Sequence, residues 1–122
     1  MSTAKFLERK VFYPGQKIFS EGEDGTRAYV VERGLVEIAK EGPDGEERVL
    51  GTVAQGGIFG EMALIDNQPR MASARAVQET TCIFISRQTF DEKMRKADPF
   101  IRGLLQIFVR NIRNMTQDRM RK

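Results

Sequence analysis

Turn signals cut the first two-thirds of this chain into short runs, and that constraint alone rules out most architectures. Val11-Phe12-Tyr13 stops at Pro14-Gly15. Ile18-Phe19-Ser20 stops at the polar cluster Glu21 to Gly25, where Asp24-Gly25 is a tight-turn dipeptide. Ala28 to Arg33 is rich in β-formers and ends at Gly34. Leu35 to Lys40 alternates, with Val36 and Ile38 on one face and Glu37 on the other. Gly42-Pro43-Asp44-Gly45 is a strong turn; Arg48-Val49-Leu50 and Thr52-Val53 follow, closed by Gln55-Gly56-Gly57. Met71 to Val77 and Thr80 to Ser86 form a last pair of runs. Short strands at near-regular spacing predict a closed or folded-over antiparallel sheet, which also removes sticky edges. Glu61 to Ile65 breaks the pattern. It is too helix-prone for a strand and too short for a structural helix, so a single helical turn is predicted there.

The last third changes period. Ser86 can cap a helix from Arg87 to about Lys96, with Phe90 and Met94 four apart on one face. Asp98-Pro99 signals a second start, an acid at the cap followed by proline at the first helical position. From there Ile101, Leu104, Leu105, Phe108, Ile112 and Met115 make an apolar stripe, which Ile107 and Val109 broaden beyond a narrow seam. The surplus predicts a helix-helix contact, self-association included, or a movable helix. Ala4 to Arg9 reads as a further short helix. Residues 1–122 read as one domain, with sheet over about 10–86 and helices over about 87–97 and 99–120.

Composition narrows the chemistry. The chain of 122 residues has no histidine and a single cysteine. That removes the commonest general base and metal ligand, and no cysteine cluster replaces them. Zinc sites, other metal sites and Ser-His or Cys-His catalysis are excluded, and no catalytic residue is nominated. Cys82 lies in the apolar run Cys82-Ile83-Phe84-Ile85 and reads as a small core residue. A lone cysteine, no apolar signal-peptide core and no membrane-spanning run predict a cytoplasmic setting. The net charge of +3 is concentrated late, in Arg102, Arg110, Arg113, Arg119, Arg121 and Lys122 against Asp118. This tail reads as a solvated helix face rather than a nucleic-acid surface.

The chemistry that remains sits in Phe59-Gly60-Glu61-Met62-Ala63-Leu64-Ile65 and Pro69-Arg70-Met71-Ala72-Ser73-Ala74. A helix start at Gly60-Glu61-Met62-Ala63 offers unpaired N–H groups, and glycine lets an anion come close. Arg70 can grip two phosphate oxygens at once, which lysine cannot. Ser73 and the N–H groups around Ala72 are further candidate donors, and the small residues let a ligand lie against the backbone. Glu61 would repel a bare phosphate but accepts a hydroxyl bond, so the pair points to a sugar phosphate with few charges. No Walker-type loop is present. The alternative is that Glu61 and Arg70 simply pair with each other.

Phe59 to Ala76 resembles the phosphate-binding cassette of cyclic nucleotide-binding domains. These occur in regulatory subunits of cyclic AMP-dependent kinase, in cyclic nucleotide-gated channels and in bacterial catabolite activators. The pattern Phe-Gly-Glu-hydrophobic-Ala-Leu, a spacer, then Pro-Arg-x-Ala-Ser is matched without a gap. Gly15, Gly22, Gly25 and Gly34 also fit the turns of that family's β-roll. The resemblance implies a mainly β fold with flanking helices: an antiparallel, jelly-roll-like β-roll, a short phosphate-binding helix and two C-terminal helices. It implies that Glu61 binds the ribose 2′-hydroxyl, that Arg70 binds the cyclic phosphate with help from Gly60, Ala72 and Ser73, and that the last helix supplies a lid. Asn111, Ile112 and Arg113 are the lid candidates. Met71 stands where a hydroxyl favours guanine, which points to cAMP over cGMP as the ligand, with no further cofactor.

The expected role is a sensor that couples cyclic nucleotide binding to movement of its C-terminal helices. The alternatives are the sensor part of a Crp-like transcription regulator without its DNA-binding domain, or the regulatory module of a channel or kinase. Helix-turn-helix sequence is absent, so nucleic acid is not an expected partner of this chain alone.

Overall fold

The computed structural model describes residues 8–120, which form eight strands and three helices in two facing antiparallel sheets. The strands are β1 (Glu8–Phe12), β2 (Lys17–Phe19), β3 (Arg27–Arg33), β4 (Leu35–Glu41), β5 (Glu47–Ala54), β6 (Ile58–Phe59), β7 (Ser73–Ala76) and β8 (Thr80–Ser86). One sheet runs β1-β8-β3-β6 and the other β2-β7-β4-β5. The helices are α1 (Met62–Asp66), α2 (Arg87–Lys96) and α3 (Pro99–Met120). This is the folded-over antiparallel sheet that the turn spacing predicts and the mainly β roll with flanking helices that the resemblance implies.

The core lies between the sheets. Register brings Phe59, Tyr29 and Phe84 side by side across β6, β3 and β8. Tyr29 stacks on Phe59 with centroids 5.1 Å apart and meets Phe12 edge-on at 6.3 Å. From the opposite sheet, Val36, Ala74 and Ala76 complete the buried cluster, with Phe19, Ile38 and Val53 packed on its rim. Ala74 pairs with Phe19 on one side and Ile38 on the other, and its small side chain makes room for both. Cys82 belongs to this core, and burial raises its thiol pKa to about 11, so it is no nucleophile at neutral pH.

Several local expectations change. Glu8 and Arg9 open β1, where Arg9 pairs with Glu32, so they are not helical. The rest of the expected N-terminal helix lies outside the described residues. Arg48–Leu50 and Thr52–Val53 are one strand, β5, because a register shift opposite Ile38 and Ala39 absorbs the irregularity at Leu50 and Gly51. β7 starts at Ser73, two residues after the expected start, since Met71 and Ala72 belong to the approach from Arg70. β6, only two residues long, had no periodic signal of its own.

The helix punctuation is local and works as residue chemistry dictates. Ser86 Oγ accepts from Thr89 N at 3.2 Å at the start of α2. Asp98 Oδ1 accepts from Phe100 N at 2.8 Å at the start of α3. Asn67, with φ 56°, closes α1 in the left-handed region. Among the described residues no helix is long and apolar enough to cross a membrane.

Candidate functional site

Gly60 leaves β6 with φ +79°, a turn that L side chains resist, and delivers the chain into α1. The Glu61 carbonyl starts the helix, accepting from Leu64 N and Ile65 N at 3.1 Å each. The Glu61 side chain makes no capping bond and is half-buried. A cavity of about 160 Å³ lies beside this turn. Phe19, Ile38, Val53 and Ile58 form its apolar wall. Gly60, Glu61, Met62 and Ala63 line one edge and Arg70, Met71 and Ala72 the other.

Arg70 is only 5% exposed. Its Nη1 donates to the Gly60 carbonyl at 2.5 Å and its Nη2 to the Arg27 carbonyl at 2.7 Å. Its Nε is buried with no acceptor at all. The guanidinium carbon lies 4.0 Å from the centre of the Phe19 ring. Among the described residues no ion pair involves Arg70, so the direct Glu61–Arg70 pair is not formed. Burial depresses the arginine pKa, the mark of a cation moved out of water without a full counter-charge. A buried cation held by carbonyl dipoles and an aromatic face, with one N–H lacking an acceptor, is able to receive an anion.

The backbone holds this geometry from several directions. Arg70 N donates to the Glu23 carbonyl at 2.8 Å, and Gly22 N donates to the Arg70 carbonyl at 2.9 Å. Lys40 Nζ donates to the Met71 carbonyl and to Glu21 Oε2, both at 2.9 Å. Glu21 Oε1 in turn accepts from Glu41 N at 3.0 Å. Arg87 Nε and Nη2 donate to the Gly25 carbonyl at 3.0 and 2.8 Å, and Nη1 donates to Asn67 Oδ1 at 2.6 Å. Gly25 must be glycine for this fit, because a Cβ there would sit 2.6 Å from the Ala63 Cβ. Lys40, Glu21 and Arg87 were not legible in the sequence, since each acts across a long gap with no motif.

The structure places two sets of nominated residues outside the lining of this cavity. Ser73 does not line the cavity; it is buried and its Oγ accepts from Glu21 N at 2.9 Å, which anchors the preceding turn and leaves its O–H free to donate. Nor do Asn111, Ile112 and Arg113 cover the cavity. The inward face of α3 follows the helical spacing Val109, Arg113, Thr116, Met120, which turns Asn111 and Ile112 to solvent. Arg113 reaches Asp66 at the end of α1. Arg113 also lines a cleft of about 350 Å³, with Asn114, Thr116 and Gln117 of α3 on one side and Lys40, Arg70 and Met71 on the other.

A family model described as "Cyclic nucleotide-binding domain" matches residues 9–97. The chain belongs to the cyclic nucleotide-binding domain family. It is 30% identical over 109 residues to the CRP-like cAMP-activated global transcriptional regulator of Mycobacterium tuberculosis, covering 89% of this chain and 49% of that protein. It is 36% identical over 92 residues to the cAMP-dependent protein kinase regulatory subunit of Neurospora crassa, covering 69% of this chain and 24% of that one. Its fold superimposes on the cAMP-bound form of the EAL enzyme Bd1971 with a TM-score of 0.85 and 36% identity, over 91% of this chain and 29% of that one. This cyclic nucleotide-binding domain therefore spans half or less of each of these relatives.

Proposed function

We propose that the chain is a non-catalytic cAMP sensor whose ligand sits in the cavity between Glu61 and Arg70. The observation that carries this reading is the buried Arg70 guanidinium, with its orphaned Nε and no carboxylate partner. The cyclic phosphate carries one negative charge and suits one arginine. Glu61 takes a ribose hydroxyl, and the backbone of Gly60 to Ala63 and of Met71 and Ala72 lines the cavity that would hold the sugar and phosphate. The names of the relatives, cAMP-activated or cAMP-dependent, support the choice of ligand. So does the apolar wall of Ile38, Val53 and Ile58, and Met71, which offers no hydroxyl to a guanine amino group. cGMP is the weaker ligand. The proposed setting is cytoplasmic, and no nucleic-acid contact is assigned to this chain alone. A Crp-like sensor and a kinase regulatory module are both supported as settings, since matches to the two kinds of protein cover 89% and 88% of this chain.

Calorimetric titration tests this. One cAMP per chain is expected, at micromolar affinity or tighter, with cGMP at least about tenfold weaker. Glu61→Ala is expected to weaken cAMP by about tenfold, the worth of one hydroxyl bond to a charged acceptor. Equal affinity for the two nucleotides would overturn the base assignment; no binding of either would overturn the sensor.

The proposed protein partner is a second copy. On α3, Ile101, Phe108 and Met115 recur every seven residues on the outward side and are 45%, 53% and 66% exposed. With Ile112 alongside, this is a helix-pairing stripe left uncovered by the domain itself. Sedimentation velocity at tens of micromolar is expected to show a dimer that Phe108→Asp converts to monomer. A monomeric wild type would remove this partner.

A further inference from the structure

The β4–β7 ladder ends with Ala39 opposite Ser73. Beyond that pair the stretch from Arg70 to Ala72 lies outside the sheet, and a side chain takes over from strand pairing. Lys40, the next residue of β4, donates from Nζ to the Met71 carbonyl at 2.9 Å. The same Nζ donates to Glu21 Oε2 at 2.9 Å, and Glu21 Oε1 accepts from Glu41 N at 3.0 Å. Glu21 N closes the circuit by donating to Ser73 Oγ at 2.9 Å. The Lys40 and Glu21 side chains are 18% and 31% exposed, so solvent screens the pair only partly. Two acceptors on different segments fix the direction of the lysine, which one alone would not.

Lys40 does not line the ligand cavity. It borders the cleft of about 350 Å³ instead, and Arg70 and Met71 border both spaces. The Met71 carbonyl and the Ala72 N–H belong to one planar trans peptide and point in opposite directions. A carbonyl drawn toward Lys40 therefore turns the Ala72 N–H away from it. Ala72 lines the ligand cavity and is 4% exposed, and among the described residues its N–H makes no hydrogen bond outside the strand ladders. A buried N–H is costly unless something accepts from it.

We propose that Lys40, steadied by Glu21, is a positioning residue for the nucleotide site: it fixes the Met71–Ala72 peptide plane so that the Ala72 N–H is presented to the phosphate. The inference rests on the cyclic nucleotide reading above. Lys40 touches no ligand, and its effect passes through the peptide plane. cAMP and cGMP carry the same cyclic phosphate, so Lys40 serves both equally. An effect passed through the Met71 side chain would instead fall unequally on the two bases.

The test compares the chain with Lys40→Met, which keeps the stem and removes every donor, and with Lys40→Arg, which keeps the charge and reaches both acceptors. Calorimetry with cAMP and with cGMP is paired with nitrogen-15 NMR of the Ala72 N–H at saturating cAMP. Lys40→Met is expected to weaken both nucleotides by about tenfold and to hold the ratio of their affinities within about twofold. The downfield movement of the Ala72 N–H at saturation is expected to fall below about half of wild type, which a general loss of stability would not cause. Lys40→Arg is expected to bind within about threefold of wild type and to restore the movement. Glu21→Gln keeps an oxygen for Glu41 N and is expected to show the same changes at smaller size. If Lys40→Met does not fold, Glu21→Gln decides. An Ala72 N–H that moves as in wild type, in whichever of these variants decides, overturns the positioning role while nucleotide binding stands. A loss confined to one nucleotide overturns it too. Failure of the wild type to bind either nucleotide overturns the cyclic nucleotide reading and this role with it.

Discussion

Arg70→Ala is expected to weaken cAMP binding by at least about a hundredfold. Breaking one side of a buried charge pair costs about 3–5 kcal/mol, and each 1.4 kcal/mol is tenfold in affinity. Here the phosphate would enter a pocket whose nearest walls are Phe19, Gly60 and Ala72, with no other arginine on its lining. The same substitution is expected to leave the ligand-free domain almost as stable as before. It removes a buried cation whose Nε has no acceptor, which is favourable. It also strips donors from the Gly60 and Arg27 carbonyls, which costs about 1–3 kcal/mol and offsets that gain. Thermal melting should therefore show little change without ligand and no cAMP-induced rise. Arg70→Lys keeps the charge but loses the planar fork, so its affinity should fall between the two. If Arg70→Ala unfolds the ligand-free domain, the guanidinium is a structural strut and not an anion receptor.

Gly60→Ala is the second large effect. The residue has φ +79°, where an L side chain costs about 1–2 kcal/mol. Its Cβ would lie 2.9 Å from Arg70 Nη1 and 3.1 Å from the Phe19 ring. Neither neighbour gives way freely. Nη1 is bonded to the carbonyl of Gly60 itself, and Phe19 packs on Tyr29 and Phe59. The combined loss is expected to be about 2–4 kcal/mol by urea denaturation, with cAMP affinity reduced more than about tenfold. Valine at this position should be worse on both counts. A Gly60→Ala variant that unfolds within about 0.5 kcal/mol of wild type would show that the turn relaxes more easily than its contacts allow.

The legible parts of this domain are those encoded within a few residues. Pro14-Gly15 and Gly42-Pro43-Asp44-Gly45 end strands by local turn chemistry, and Ser86 and Asp98 start helices with their own side chains. The cassette is contiguous, so its glycine, acid and arginine could be read as one unit, and seven of its nominated residues line the same cavity. What was not legible depends on partners brought together by topology. Lys40 meets Met71 across 31 residues, and Arg87 meets Gly25 across 62. Ser73 reads as a ligand donor because hydroxyls suit phosphate; that its oxygen also accepts from Glu21 N, 52 residues away, could not be read locally. The lid nominations followed the family resemblance, which fixes no motif there, whereas the rotation of α3 is set by Val109, Arg113 and Met120 against the rest of the fold.

The Arg70 Nε–H lacks an acceptor, and a bound cyclic phosphate is expected to supply one. Nitrogen-15 NMR of the arginine Nε–H groups during a cAMP titration reads this directly. One Nε–H, assigned to Arg70 by its absence in Arg70→Lys, is expected to move downfield and become protected from solvent exchange at one equivalent of cAMP. Saturation of the domain with that resonance unmoved would contradict it.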